Sequence, residues 1–392
     1  MLRFLTSGES HGPGLTAIIE GLPAGLPLSA EEIDIHLERR QGGYGRGGRM
    51  KIEKDRAIIR SGVRHGLTLG SPITLEINNR DWENWRVKMS VTPVEEQVDA
   101  VTLARPGHAD FAGVIKYGHE DIRNVIERSS ARETAARVSV GAVCLALLKQ
   151  FGIEIHSHVL SIGPVGERDD ERSAVRQRFA SEYWEQVEAS PVRCGDSALG
   201  ERMVAFIQEC KSKAETCGGV FEVVATGVPI GLGSYSQWDR RLSGKVAQAM
   251  MSIPSVKGVE IGSGFASSAR LGSQVHDVIR KGEAGEWQRL TNNAGGIEGG
   301  MSDGEPIVVR VAVKPIASLA HPLPTVDIST QENVEEGRYE RSDVCVVPAA
   351  GVVGEAMLAI ALTEAWLEKF GGDSLAEMRA NVEAYTARTR PR

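Results

Sequence analysis

The stretch Ser130-Ala131-Arg132-Glu133-Thr134-Ala135-Ala136-Arg137-Val138-Ser139-Val140-Gly141-Ala142-Val143-Cys144-Leu145-Ala146-Leu147-Leu148 decides how the rest is read. A serine followed three residues later by glutamate is a capping-box start, and the helix it opens ends near Phe151-Gly152. From Val138 to Leu148 that helix is apolar nearly all round, which marks a buried element. The run is well short of the ~18 apolar residues of a membrane span. Ser29-Ala30-Glu31-Glu32 repeats the signature and opens a helix with Ile33 and Leu37 on one face, running to Arg39-Arg40. Thr92-Pro93-Val94-Glu95 is a further start, with Val94, Val98 and Val101 at helical spacing. Val353 to Phe370 reads as another buried helix, interrupted by Glu355 and Glu364. Strands are expected over Gly219 to Val228 and Pro306 to Val313, where Ile307, Val309, Val311 and Val313 alternate. Strands and helices mix without a regular βαβ rhythm, so the fold class is α+β. No repeat, linker or break in composition divides residues 1–392, so one large domain is expected. The charged stretch 167–213 forms solvated peripheral helices in this reading.

Composition narrows the function. The 45 basic and 52 acidic side chains leave a net charge of −7, which argues against a general nucleic-acid-binding face. Any anion site must be a local cluster. The 44 glycines in 392 residues are the outlier and imply many tight turns or close approaches. Five scattered cysteines make no CxxC pair, so neither a disulfide framework nor a zinc site is supported and no metal is expected. The N-terminus lacks a secretory pattern, and a cytoplasmic protein with no membrane partner is expected.

Four motifs could carry chemistry. Gln41-Gly42-Gly43-Tyr44-Gly45-Arg46-Gly47-Gly48-Arg49 satisfies GxGxxG, but it follows a helix rather than a strand, so a dinucleotide fold is rejected. What it offers is a glycine frame carrying guanidiniums, suited to a multiply charged anion or, as an RGG-like loop, to RNA. Arg128-Ser129-Ser130-Ala131-Arg132 places arginines four apart at a helix N-terminus, a receptor suited to a phosphate-ended cofactor or simply a capped surface helix. His11 and His108 sit in the tight turns Gly8-Glu9-Ser10-His11-Gly12 and Arg105-Pro106-Gly107-His108-Ala109-Asp110. Rigid turns can present acid–base groups, and Ser10 raises the question of a serine hydrolase. The first turn matches GxSxG, yet Pro13-Gly14 follow where a nucleophile elbow needs a helix. Asn292 to Gly300 is a glycine loop able to lie against a flat ligand, Lys314-Pro315-Ile316-Ala317-Ser318 ends a strand with a cation, and Glu340-Arg341-Ser342-Asp343 adds a guanidinium and a carboxylate.

Taken in order, these blocks resemble the chorismate synthase family over nearly the whole chain. That resemblance implies a β-α-β sandwich with central helices between antiparallel sheets, and a homotetramer. It implies conversion of 5-enolpyruvylshikimate 3-phosphate to chorismate and phosphate by anti 1,4-elimination, requiring reduced FMN without net redox change. Position by position, it implies that His11 keeps the flavin suitably protonated, that His108 protonates the departing phosphate, and that Asp343 assists removal of the C6 proton. Substrate is expected among Ser10, Arg40, Arg46, Arg49, Arg105, Arg132 and Arg341, with Arg40 and Arg46 also assigned to NADP, NADPH serving as reductant. FMN is expected against Arg128, Ser129, Ser130, Pro254, Ser255, Gly299, Lys314, Pro315, Ile316, Ala317, Ser318 and Arg341. Ser263 and the pair Ala317-Ser318 depart from the family's usual residues at the flavin wall. An enzyme of one activity, relying on an outside flavin reductase, is the expectation.

Overall fold

Ser130 caps the chain as its sequence requires. Its Oγ accepts the Arg132 N–H at 3.2 Å, a 3-10 turn spans Ala131–Glu133, and a 16-residue helix runs over Thr134–Lys149. The computed structural model describes residues 1–48, 53–166, 180–283, 287–340 and 343–389. The expected box with Glu133 does not form, because that carboxylate accepts from Thr6 and Arg137 instead. At Ser29 the box closes: Ser29 and Glu32 exchange hydrogen bonds at the start of helix Ala30–Gln41, which buries Ile33 and Leu37. The last buried helix starts earlier than expected, at Val347, with Pro348 in its first turn, and runs unbroken for 24 residues to Phe370. It is long and apolar enough to cross a membrane, but 94% of that apolar window is buried within the fold.

Two antiparallel sheets cover these helices. One has the order Arg3–Ser7, Gly14–Glu20, Ile73–Asn78, Ala57–Ser61. The other has the order Val256–Ile261, Ile307–Val313, Gly219–Thr226, Glu154–Ile162, Val165–Gly166. Helix Thr134–Lys149 touches Gly14–Glu20 and Ile73–Asn78 on one side and Glu154–Ile162 on the other, while Val347–Phe370 packs on Glu154–Ile162 and Gly219–Thr226. The architecture is therefore α+β, a β-α-β sandwich with its helices in the middle layer.

The middle layer is close-packed because glycines line its contacts. A Cβ on Gly141 would stand 2.5 Å from Ala356 Cα, and one on Gly354 would stand 2.6 Å from the Phe221 ring. Gly141 faces Ala356 and Cys144 lies beside Thr363, so the two long helices run parallel. The Glu355 carboxylate does not interrupt its helix. It is 1% exposed and accepts from Arg39 at 2.6 and 3.0 Å, Ser157 at 2.7 Å and Arg193 at 3.1 Å. A buried carboxylate so saturated is tolerated in a helix.

One expected helix is absent. Residues 92–100 contain no helix, and Val94 and Val98 are exposed. Val101 alone is buried, in a small cluster with Ala104, Val114, Ile122 and Ile126, and its N–H donates to Asp121. Capping and spacing favour a helix only where its apolar face finds a surface to cover. Between positions 180 and 213, helices Ser181–Ala189 and Ser197–Ser212 each bury a face through Trp184 and Val187, and through Leu199, Met203, Ile207 and Cys210.

Two outcomes follow for stability. Gly141→Ala should cost about 1–3 kcal/mol by forcing the central helices apart, with Ala356→Gly recovering part of the loss; a native thermal midpoint for the single variant would contradict the packing. Glu222 sits in the second sheet, 2.9 Å from His158 Nε2 and 2.8 Å from Arg310 Nε. Burial would raise its pKa, but these partners hold it at about 2 against an ordinary 4.5. Its carboxylate therefore stabilises the fold at any pH above 4.5, and that contribution is lost as pH falls from 4.5 toward 2. Thermal midpoints measured across that window should fall more steeply for the native chain than for Glu222→Gln.

Candidate active site

Strands Arg3–Ser7 and Gly14–Glu20 are joined by the turn that carries Ser10 and His11. Gly8 has φ +104°, and a side chain there would collide with the Gly14 carbonyl. Asn79 pins the turn from below, donating to Gly12 O at 2.7 Å, Glu9 O at 3.1 Å and Ser10 O at 3.3 Å. The same Asn79 accepts from Arg132 at 2.8 and 3.0 Å, tying the turn to the start of the central helix. Ser10 Oγ lies 3.0 Å from Ser130 Oγ. His11 directs Nδ1 at Glu127 and stacks on Trp85, with ring centroids 3.8 Å apart.

Behind this turn, Asp55 holds two guanidiniums. It accepts from Arg40 at 2.7 Å and from Arg132 at 2.5 Å, all three groups being nearly inaccessible to water. Burial lowers the Arg40 pKa; Asp55 opposes, but Arg132 and Arg46 lower it further, to about 10. Arg40 Nε is buried and has no hydrogen-bond partner among the described residues.

A second knot forms around Asp110, which opens helix Asp110–Tyr117 and reaches back over the Arg105–His108 turn. Its carboxylate accepts from Arg105 N and Nη2 at 3.1 Å, Arg105 Nε at 2.8 Å and His108 Nδ1 at 2.5 Å. Burial would push Asp110 upward, yet His108 and Arg105 keep it well below the usual carboxylate range. Arg105 also donates to Ser318 Oγ at 3.0 Å, and Lys314 Nζ to Gly107 O at 3.0 Å. Lys314 N in turn donates to Ser255 O at 2.9 Å. Pro254 and Ser255 follow Ser252, which accepts from Arg137 near the start of the central helix.

The third knot is the glycine loop. Gly43 and Gly45 take positive φ and pack against Pro348 and Cys345 at the N-terminus of helix Val347–Phe370. Gly47 N donates to Asp343 at 2.5 Å, and Arg46 pairs with the same carboxylate at 3.4 Å. The loop is thus seated on the fold, not offered outward as an RNA-binding arm would be. A hydrolase reading gains nothing either, since the Ser10 hydroxyl faces that of Ser130 at 3.0 Å.

Most anticipated residues fall into two separate hydrogen-bonded groups among the described residues. Ser10, His11, Arg40, Ser130 and Arg132 share one network, joined to Arg46 and Asp343 where Arg40 adjoins Arg46. Arg105, His108 and Lys314 to Ser318 share the second network with Ser255. Arg128 is partly exposed and donates to Thr6 O at 2.8 Å, and Ser129 Oγ bonds back to Val125 O at 2.7 Å. Gly299 stands apart: it lines a cavity of about 410 Å³ with Ile261, His276, Asp277 and Asn293, and no other described residue of the expected flavin set lines it. Arg49 and Arg341 lie outside the described residues, as does Ser342. The sequence reading missed Asp55, Asn79, Trp85, Asp110, Arg123 and Glu127. Only Asp110, inside the histidine motif, carried a signal in its spacing.

Each group can bind an anion beside a histidine held by a buried carboxylate. Comparison with known proteins agrees with the order of the motifs. The family model described as chorismate synthase matches residues 2–367. The chorismate synthase of Aquifex aeolicus (strain VF5) is 57% identical over 387 residues, covering 98% of this chain and 97% of its own. That of Pelobacter propionicus is 54% identical with full coverage of both chains. A crystal structure of chorismate synthase superposes with a TM-score of 0.79 at 47% identity, covering 99% of this chain and 98% of the other. With arginines, histidines and central helices in the order the family requires, the chain belongs to the chorismate synthase family.

Proposed function

We propose that this chain converts 5-enolpyruvylshikimate 3-phosphate to chorismate and inorganic phosphate by anti 1,4-elimination, with reduced FMN required and no net redox change. The observation that carries the reading is Arg40, a buried guanidinium lowered to about 10 by burial and then by its neighbours Arg132 and Arg46, and left with an unpartnered Nε among the described residues. Crowded cations of this kind gain most from a bound anion, and the proposed substrate carries a phosphate and two carboxylates.

Arg40, Arg46, Arg105 and Arg132 bind and orient those groups, each fixed by a carboxylate so that its fork is set before substrate arrives. His108, with Nδ1 on Asp110, delivers a proton from Nε2 to the departing phosphate. Arg105 beside it stabilises the charge that develops on the leaving oxygens. His11 gives up and takes back a proton at its own Nε2, and Asp343 assists removal of the C6 proton. The residues around Lys314 fit a flavin phosphate: the ammonium donates to the carbonyls of Gly107 and Pro315, which leave its charge unneutralised, and Ser318 adds a hydroxyl beside Arg105. When bound, reduced FMN supplies the electron-rich surface that makes the allylic C–O bond labile. The reading carries with it a cytoplasmic homotetramer, with reduced flavin supplied by an outside reductase or by NADPH at Arg40 and Arg46.

Anaerobic incubation with photoreduced FMN and 5-enolpyruvylshikimate 3-phosphate should release chorismate and phosphate in equal amounts, and oxidised FMN should give neither; no chorismate from the intact chain would overturn the proposal. His11→Ala and His108→Ala should each lower kcat by ~10²–10⁴, and unimpaired turnover in either variant would remove that residue's role.

A further inference from the structure

Among the described residues Glu127 and Trp85 hold His11, and Arg123 steadies both. Its backbone N–H donates to Glu127 Oε2 at 2.7 Å, and its ring Nδ1 lies 2.9 Å from Oε1 and 3.1 Å from Oε2 of the same carboxylate. Glu127 lies on helix Arg123–Ser129 with its side chain 1% exposed, and Arg123 Nη1 donates to its Oε1 at 3.1 Å. Trp85 stacks on the imidazole with its plane inclined by 25°, and the Arg123 guanidinium lies 5.1 Å from the indole centroid. Among the described residues, Lys88, 5.5 Å from that centroid, Glu340, 3.9 Å from Arg123, and Glu9 on the turn itself are further charges in this region.

An ionised carboxylate can only accept hydrogen bonds. Burial would raise the Glu127 pKa, but His11 and Arg123 keep it low, so the group is ionised near neutrality. Nδ1 must therefore carry a hydrogen whether the ring is neutral or charged, and Nε2 is the nitrogen whose proton comes and goes.

We propose that Glu127 is a positioning residue for the reaction: it fixes His11 as the Nδ1–H tautomer and so reserves Nε2 for proton transfer, with Trp85 and Arg123 holding ring and carboxylate in place. This rests on the acid–base role given to His11 above. A purely structural role competes with it, because Glu127 O also accepts the Ser10 N–H at 3.0 Å and could serve only to fasten the turn to the helix.

Glu127→Gln separates the two. The His11 backbone N–H, 2.7 Å from Oε2, selects the orientation that leaves the amide oxygen there, so the new NH2 takes the Oε1 position, the nearer of the two to Nδ1 at 2.9 Å. The ring meets that NH2 by accepting at Nδ1 and carrying its hydrogen on Nε2. Long-range ¹⁵N–¹H spectra of histidine-labelled protein at alkaline pH, with the His11 signal assigned by its loss in His11→Gln, should show Nδ1–H in the native chain and Nε2–H in Glu127→Gln. In the same variant kcat should fall ~10²-fold, since an imidazole in the wrong tautomer cannot serve as base at Nε2. KM for the shikimate substrate should stay within about threefold, because no substrate-binding arginine is touched. Glu127→Asp, which keeps the charge, should retain the Nδ1–H tautomer and turn over at least tenfold faster than Glu127→Gln. An unchanged tautomer or native kcat in Glu127→Gln, or equal losses in the two variants, would overturn the proposal. A native chain that makes no chorismate would overturn the assigned reaction instead, while the tautomer spectra would still report on Glu127.

Discussion

Two parallel helices pressed together at Gly141 and Ala356 set the geometry on which everything else rests. Because neither residue carries a bulky side chain, Thr134–Lys149 and Val347–Phe370 share one layer, and a sheet closes over each side. Their N-termini then fall at the same end of the sandwich. One presents Ser130 and Arg132, and the other is preceded by Asp343 and receives the glycine loop. Helix Ala30–Gln41 brings its C-terminal Arg40 to the same end, where it meets Asp55 and Thr134. The positive ends of the two helix dipoles add to the guanidiniums collected there.

Arg39 and Arg40, neighbours on one helix, show what this placement does to charge. For Arg39, burial alone would weaken the base, but Glu355 and Glu188 more than offset it and raise its pKa above the ordinary value. For Arg40, one residue on, Asp55 is shared with Arg132, and burial with the nearby cations lowers the pKa to about 10. The first guanidinium sits in a saturated structural network; the second is left with capacity for an anion. A single residue, about 100° around the helix, separates a group that secures the fold from one suited to a ligand.

Histidines follow the same logic. His11 and His108 occupy turns with nothing in common in sequence, yet each directs Nδ1 at a carboxylate that is almost fully buried. Asp110 also holds Arg105, and Glu127 also holds Arg123, so each imidazole shares its anchor with a guanidinium. Sharing keeps the carboxylates ionised and fixes both rings without isolating a buried charge.

The sequence by itself determined the local part of this protein. Ser29 and Ser130 announced their helices and alternation over Ile307 to Val313 announced a central strand, because caps and alternation are read over a few residues. Local signals also misled where nothing tertiary supported them: Thr92 to Val101 has a helix's spacing but no surface for its valines to cover. Only the tertiary structure decided which carboxylate meets which cation. Glu127 reaches His11 across 116 positions and Asp55 reaches Arg132 across 77, and neither carries a periodicity or motif that points to its partner. Such pairs form because a buried charge must find its complement wherever the packed helices and sheets bring one within about 3 Å, and that is a property of the closed fold.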